Sequence, residues 1–420
     1  MPTPEHFAQS PEAVGVDPEK LEALFERAQR EIHEGLLPSC QIAVARNGKL
    51  AGMRTFGAVT HEGRPAPATN DTLYVVFSCT KAITSTAAWL LLQEGKLSLD
   101  ERVADVVPEF GTNGKEQILV EQLFTHTAGF PYAPFPPREW LDRSARLARF
   151  GRWRLNFEPG SRMEYHSTSS MWVIAELIER RTGQSYRDFV RQRIAEPLGL
   201  DDLYVGLPRG LHGRLADVVN VGEPLSPEAL AQMGFPVNPQ NEVTEEALEG
   251  FNRPEAREAG VPGGGGVMTA GDLALFYQGL LRDGTSHDAS ARVGGPASAR
   301  VGGPASARVG GPGSRVWQPD TIARGLEVRT GDLLDPMMRR KANRALGLVI
   351  AGESDRVYRG FGHTNSARAF GHGGAGGQIA WADPETGLSF GYCTNGCDRN
   401  PLRQGRRTVG LSSRAASCAA

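Results

Sequence analysis

Ser78-Cys79-Thr80-Lys81, followed by the apolar run Ala82 to Leu92, decides how this chain is read. A hydroxyl and an amine three residues apart share one face of a helix. The lysine nitrogen then reaches the serine oxygen and takes its proton. A serine at a helix N-terminus also sits where backbone N–H groups and the dipole favour a developing negative charge. That is the geometry of a serine activated for acyl transfer. No other lysine in the chain (Lys20, Lys49, Lys96, Lys115, Lys341) has a serine three residues before it. The apolar residues after Lys81 predict partial burial of the amine, and desolvation lowers its pKa towards that of a usable base. S-x-x-K also pairs surface residues in many chains, so the motif needs company.

Working outward, the strands cluster at the two ends of the chain. Asp17-Pro18 predicts a helix start, an N-cap with proline in the first turn, and Leu21, Leu24, Phe25, Ala28 and Ile32 repeat at helical spacing. Gln41 to Ala45 reads as a strand, Asn47-Gly48 as a hairpin turn, and 50–58 as the return strand. Thr72 to Phe77 is a short apolar segment running into Ser78. Val120 to Phe124, Met171 to Arg181 and Tyr186 to Ile194 read as helices, and 205–262 as long loops. Thr269 with Asp272 predicts a capped helix through Leu281. Ala345 to Ala351, Gln378 to Trp381 and Leu388 to Cys393 read as strands, and a last helix runs from about Pro401 to Cys418. Helices thus fill the middle, and one sheet is expected to draw on both termini. The expected domains are 1–77 with 266–420 as an α/β sheet domain, and 78–265 as a mostly helical one. Residues 291–314 repeat ARVGGPAS, ARVGGPAS, ARVGGPGS, too poor in apolar surface to offset ordering entropy, so a disordered low-complexity loop is expected.

Two further constellations keep the serine and lysine company. Of the eight tyrosines, only Tyr165 is followed two residues later by Ser or Asn, in Tyr165-His166-Ser167. With positive neighbours it would serve as a phenolate base or proton shuttle; alone it would read as a tyrosine at a helix entrance. His372-Gly373-Gly374-Ala375 opens a glycine-rich segment where substrate can approach the backbone, and the N–H groups of Ala375 and Ser78 make a candidate oxyanion hole. Gly371 to Gly376 also matches G-x-G-x-x-G, but it leads into a strand instead of opening a helix, so no dinucleotide is expected.

The order S-x-x-K, Y-x-S, His-Gly-Gly resembles the serine β-lactamase/penicillin-binding superfamily. The likeness is to its class C-like branch and to family VIII carboxylesterases, from about residue 13 onward. It implies a β-lactamase/transpeptidase-like α/β fold: an antiparallel sheet flanked by helices, with a mostly helical insertion. It implies Ser78 as nucleophile and Lys81 as its base. Tyr165 would protonate the leaving group and then activate the deacylating water. Ser167 stands where the family more often has Asn, and His372 where penicillin-recognising members have Lys. A neutral histidine offers less to a carboxylate than a lysine does. The two departures favour a carboxylic ester or lactone over a β-lactam. A β-lactamase, a D-aminopeptidase-like amidase and a non-catalytic binding relative are the alternatives. Leu123 to Gly129, Gly160 and Pro262 to Asp272 also look familiar, and His126 is read as a loop tie. Trp381, Phe130, Tyr132 and Phe135 are either acyl-pocket or packing residues.

Composition narrows the rest. The chain has 420 residues, 40% hydrophobic and 22% charged, with net charge −2, which gives no basic surplus for nucleic acid. Five scattered cysteines make no C-x-x-C pair, so neither zinc nor a disulfide framework is expected. Cys79, beside the nucleophile, reads as a packing residue. The opening Met-Pro-Thr-Pro-Glu-His lacks a basic stretch before an apolar core, and no apolar run approaches the ~20 residues of a span. The expectation is a cytoplasmic enzyme without metal or cofactor, acting on a small-molecule ester. Nothing in the sequence sets an oligomeric state.

Overall fold

A computed structural model describes residues 2–232, 243–285 and 315–420. The 291–314 repeat lies outside the described residues. Helix α1 (Pro18–His33) starts where Asp17 accepts from the Glu19 and Lys20 amides, and it buries Leu21, Leu24, Phe25 and Ala28. Its chain then enters strand β1 (Ser39–Arg46), turns at Asn47-Gly48 and returns as β2 (Lys49–His61), followed by β3 (Arg64–Pro67). Asn47 and Gly48 both have positive φ, as a tight hairpin turn requires. β4 (Tyr74–Val75) leads into the 77–79 turn and helix α2 (Thr80–Gln93). Helix α3 (Ser169–Thr182) and β5 (Tyr204–Val205) follow, then β6 (Gly266–Met268) and α4 (Ala270–Gly284), capped by Thr269 on the Asp272 amide.

The C-terminal part supplies β7 (Val349–Ile350), β8 (Phe370–Gly373), β9 (Ile379–Asp383), β10 (Leu388–Thr394) and α5 (Pro401–Ala416). Seven strands form one antiparallel sheet in the order β7-β8-β9-β10-β1-β2-β3, so its strands come from 39–67 and 349–394. A second sheet joins β4, β6 and β5. α1 and α5 pack on one face of the large sheet around Cys40, Ile42, Trp381, Phe390 and Leu411. α4 packs on the other face. There Gly391 lets the backbones meet, since a Cβ would lie 2.4 Å from Ala270 O.

Two expectations change. Of 345–351, only Val349–Ile350 is strand. Ala345 instead donates to Leu348 O at 2.9 Å through a turn whose Gly347 has φ +80°, a conformation closed to most side chains. That turn aims Arg344 inward. Lys81, expected half-buried, is fully buried, because every residue of α2 from Thr80 to Leu91 lies inside.

Candidate active site

The candidate nucleophile sits on a strained turn. Phe77 has φ +44°, a left-handed conformation that costs a bulky residue about 1–3 kcal/mol, and Ser78 follows it directly. β8 runs against this turn. Cys79 Sγ donates to His372 O at 3.1 Å, and a Cβ at Gly374 would lie 2.4 Å from Val76 O. The His372-Gly373-Gly374-Ala375 segment is therefore brought to Ser78 by backbone packing that needs glycine. Burial pushes the Cys79 thiol up to about 12, which leaves it an inert packing group.

Lys81 Nζ lies 3.1 Å from Ser78 Oγ, 2.7 Å from Ser167 O and 2.8 Å from Gly263 O. A neutral amine in that cradle gives its two N–H groups to the carbonyls and points its lone pair at the Ser78 hydroxyl. Burial lowers the Lys81 pKa; Tyr165 opposes this and Arg344 adds to it. Sequence reasoning missed Gly263, and it did not anticipate that Ser167 meets Lys81 through its carbonyl. Ser167 contributes its carbonyl, and its hydroxyl makes no hydrogen bond among the described residues.

Tyr165 is half-buried with its ring beside this cradle. Lys81 Nζ lies 4.9 Å from the ring centroid and the Arg344 guanidinium 5.2 Å. The His126 and His372 rings stand 4.6 and 6.2 Å away. His126 accepts from the His166 amide at 3.2 Å, so it ties the loop as expected and also packs on Tyr165. His166 donates to Glu164 O at 2.7 Å and accepts from the Phe130 amide at 3.1 Å. Burial pulls its pKa down to about 3.

His372 is buried too. Its Nδ1 is 2.6 Å from Gly373 O and its Nε2 is 3.5 Å from Arg344 Nη1. Burial, then the Arg344 charge, hold its pKa well below the histidine range, so the ring is neutral. Arg344 was not found from the sequence. A permanent cation stands behind the neutral histidine, and no local spacing announces a contact between residues 28 positions apart.

The aromatic expectations divide. Trp381 is core: fully buried, against Phe390, with Nε1 3.2 Å from Ser412 Oγ. Phe130 packs between Phe110 and Trp153. Phe135 packs on Trp153 and Trp172. The Tyr132 hydroxyl bonds Glu164. Half-buried Phe251 packs edge-on against Phe77, the residue before Ser78, at 5.4 Å, and half-buried Trp140 lies against Phe251 with ring centroids 6.3 Å apart. A wide groove between α4 and 319–326 shares no residue with this cluster.

The pH dependence follows from the cradle. Only neutral Lys81 can take the Ser78 proton, and burial moves its titration below the ordinary lysine range. kcat/KM is expected to rise with pH along a limb below the ordinary lysine pKa of ~10.4 and then level off. A limb at the pKa of free lysine, seen in an initial-rate pH profile, would contradict a desolvated base.

Residues 21–414 match the family described as Beta-lactamase, and the chain belongs to that family. It is 27% identical over 349 residues to the Esterase/beta-lactamase LipL of Mycobacterium tuberculosis, covering 78% of this chain and 70% of that protein. It is 31% identical over 210 residues to Esterase EstB of Burkholderia gladioli, covering 44% of this chain and 50% of that one. A penicillin-binding protein homolog from Caulobacter crescentus superposes with TM-score 0.74 at 27% identity, covering 96% and 99% of the two chains. The β-lactamase/transpeptidase-like fold expected above is the fold of the chain.

Proposed function

We propose that this chain is a serine hydrolase cleaving carboxylic esters, lactones included, through an acyl-enzyme on Ser78. One observation carries the reading: the buried Lys81 amine is fixed by two carbonyls and faces Ser78 Oγ at 3.1 Å. The named esterases among its relatives support the substrate class. In the first half-reaction Ser78 Oγ passes its proton to Lys81 and attacks the ester carbonyl carbon. The amides of Ser78 and Ala375, with Gly373 and Gly374 leaving room, receive the developing oxyanion. The C–O bond then breaks, Tyr165 gives its proton to the departing alkoxide, and Lys81 restores it. In the second half-reaction water attacks the acyl carbon and yields a proton to Tyr165, which relays its own to Lys81. Lys81 then returns a proton to Ser78 as the acid leaves.

A β-lactamase or amidase reading draws on Arg344, a cation beside His372 that suits an anionic substrate. Side-by-side turnover of p-nitrophenyl esters and nitrocefin separates the two. Faster ester cleavage supports the proposal, and nitrocefin as the better substrate overturns it.

The acyl side of the site is assigned to Phe251 and Trp140. Phe251→Ala is expected to lower kcat/KM for p-nitrophenyl hexanoate about tenfold more than for the acetate. Trp381→Phe is expected to leave that ratio unchanged and to cost only stability, about 1–2 kcal/mol by urea denaturation.

The division into 1–77 with 266–420 and 78–265 is part of the same proposal. So is a cytoplasmic location. All five cysteines are buried and unpaired, which suits a reducing compartment. Among the described residues no helix is long and apolar enough to cross a membrane.

A further inference from the structure

We propose that Arg344 is a positioning residue that keeps a permanent positive charge on Tyr165, taking over electrostatic work that His372 cannot do. The inference rests on the reaction proposed above. Tyr165 must hold negative charge whenever it has given up its proton, and that form needs a cation nearby.

The surroundings of Tyr165 offer two candidates. From α2 comes Lys81, 4.9 Å from the ring. Its charge is transient, because the same amine must be neutral to serve as base. From the loop after 120–125 comes His126, and from Tyr165's own loop His166. From β8 comes His372. Burial keeps all three imidazoles neutral. Glu164 is engaged with Tyr132 and Arg162. The remaining element is the turn before β7, and it carries Arg344, whose guanidinium lies 5.2 Å from the Tyr165 ring. Arginine does not deprotonate in proteins, so this charge persists through the cycle.

The placement of Arg344 is built, not incidental. Only 6% of the residue is exposed, and its Nε has no hydrogen-bond partner. Nη1 reaches His372 Nε2 at 3.5 Å, which fixes the guanidinium against the imidazole. Its counter-ion, Asp335, is buried but stands off at 3.7 Å. Asp335 is occupied by the amides of Met337 and Met338 at 2.9 and 3.4 Å. The charge of Arg344 is therefore only partly compensated by Asp335, and its guanidinium lies 5.2 Å from the Tyr165 ring.

The test reads both signs. Arg344→Met removes a cation whose charge helps to hold the Lys81 pKa down, so the amine is neutral only at higher pH. The acid limb of kcat/KM is expected to move up by about one pH unit, with kcat at pH 7 down about tenfold and KM for a neutral ester little changed. Arg344→Lys is expected to restore the limb. Asp335→Asn leaves the Met337 and Met338 amides an acceptor and removes the counter-charge, so its limb is expected to move down. Circular dichroism and thermal melts of each variant identify those that fail to fold. An unmoved limb in Arg344→Met, or equal losses at every pH in both Arg344 variants, overturns the inference. Failure of the parent reading is separately visible as turnover that survives Ser78→Ala.

Discussion

Ser78→Ala is expected to lower kcat/KM for p-nitrophenyl acetate by about 10⁴-fold or more, to the level of buffer plus adventitious binding. In the proposed reaction Ser78 forms the bond that makes the acyl-enzyme; its Oγ lies 3.1 Å from the Lys81 amine, while Ser167 offers that amine only its carbonyl. The fold is expected to tolerate the change. Ser78 is half-buried, its hydroxyl serves no other partner than Lys81 among the described residues, and alanine suits the 77–79 turn. Far-UV circular dichroism and the thermal midpoint should match wild type. The activity loss then reports chemistry alone. A residual rate within tenfold of wild type would mean that another group carries the reaction.

Lys81→Met is expected to cost about 10³–10⁴-fold in kcat, with KM changed far less. Methionine matches the length and fills the same buried space, but it has no lone pair basic enough to take the Ser78 proton. Its effect on stability is the sum of opposing terms. The variant no longer buries an ionisable amine, which favours folding. It leaves Ser167 O and Gly263 O without their donor, which costs about 1–3 kcal/mol per carbonyl. The thermal midpoint is expected within about 5 °C of wild type, measured by calorimetry. Linkage gives a further check. Lys81 titrates lower in the folded chain, so the folded state disfavours its charged form. That penalty is largest at low pH and relaxes as pH rises towards the unfolded lysine value. The midpoint difference between Lys81→Met and wild type should therefore favour the variant most at acidic pH and shrink as pH rises.

The legible part of this site was local. Ser78 and Lys81 lie one turn apart, so their meeting follows from helix geometry, and Asn47-Gly48 and Asp17-Pro18 likewise announce their turn and cap within a few residues. Tyr165 and His372 were legible as motifs, but what surrounds them was not. Arg344 reaches His372 only because Gly347 breaks what reads as a strand from Ala345 to Ala351, and hydrophobic runs do not reveal such a turn. Gly263 acts through a carbonyl, which every residue possesses, so no side-chain pattern marks it. Phe251 sits in a stretch whose Pro, Gly and Glu content reads only as loop, yet it packs edge-on against the residue before the nucleophile. Trp381 shows the converse: a large aromatic beside a glycine-rich site segment that belongs to the sheet core, under α5.

The neutral-histidine argument for an ester substrate also changes in content. The site keeps its permanent cation, carried on Arg344 one step behind His372 instead of on the strand itself.

The central claim is a covalent acyl group on Ser78. Wild type and Tyr165→Phe, the latter to slow deacylation, would be mixed with p-nitrophenyl acetate, quenched in acid within the first turnover, digested and mapped by mass spectrometry. The account predicts one acetyl group on the peptide bearing Ser78, enriched in the Tyr165→Phe sample and absent from Ser78→Ala. Turnover with no acylated peptide, or acetyl on a residue other than Ser78, would contradict it.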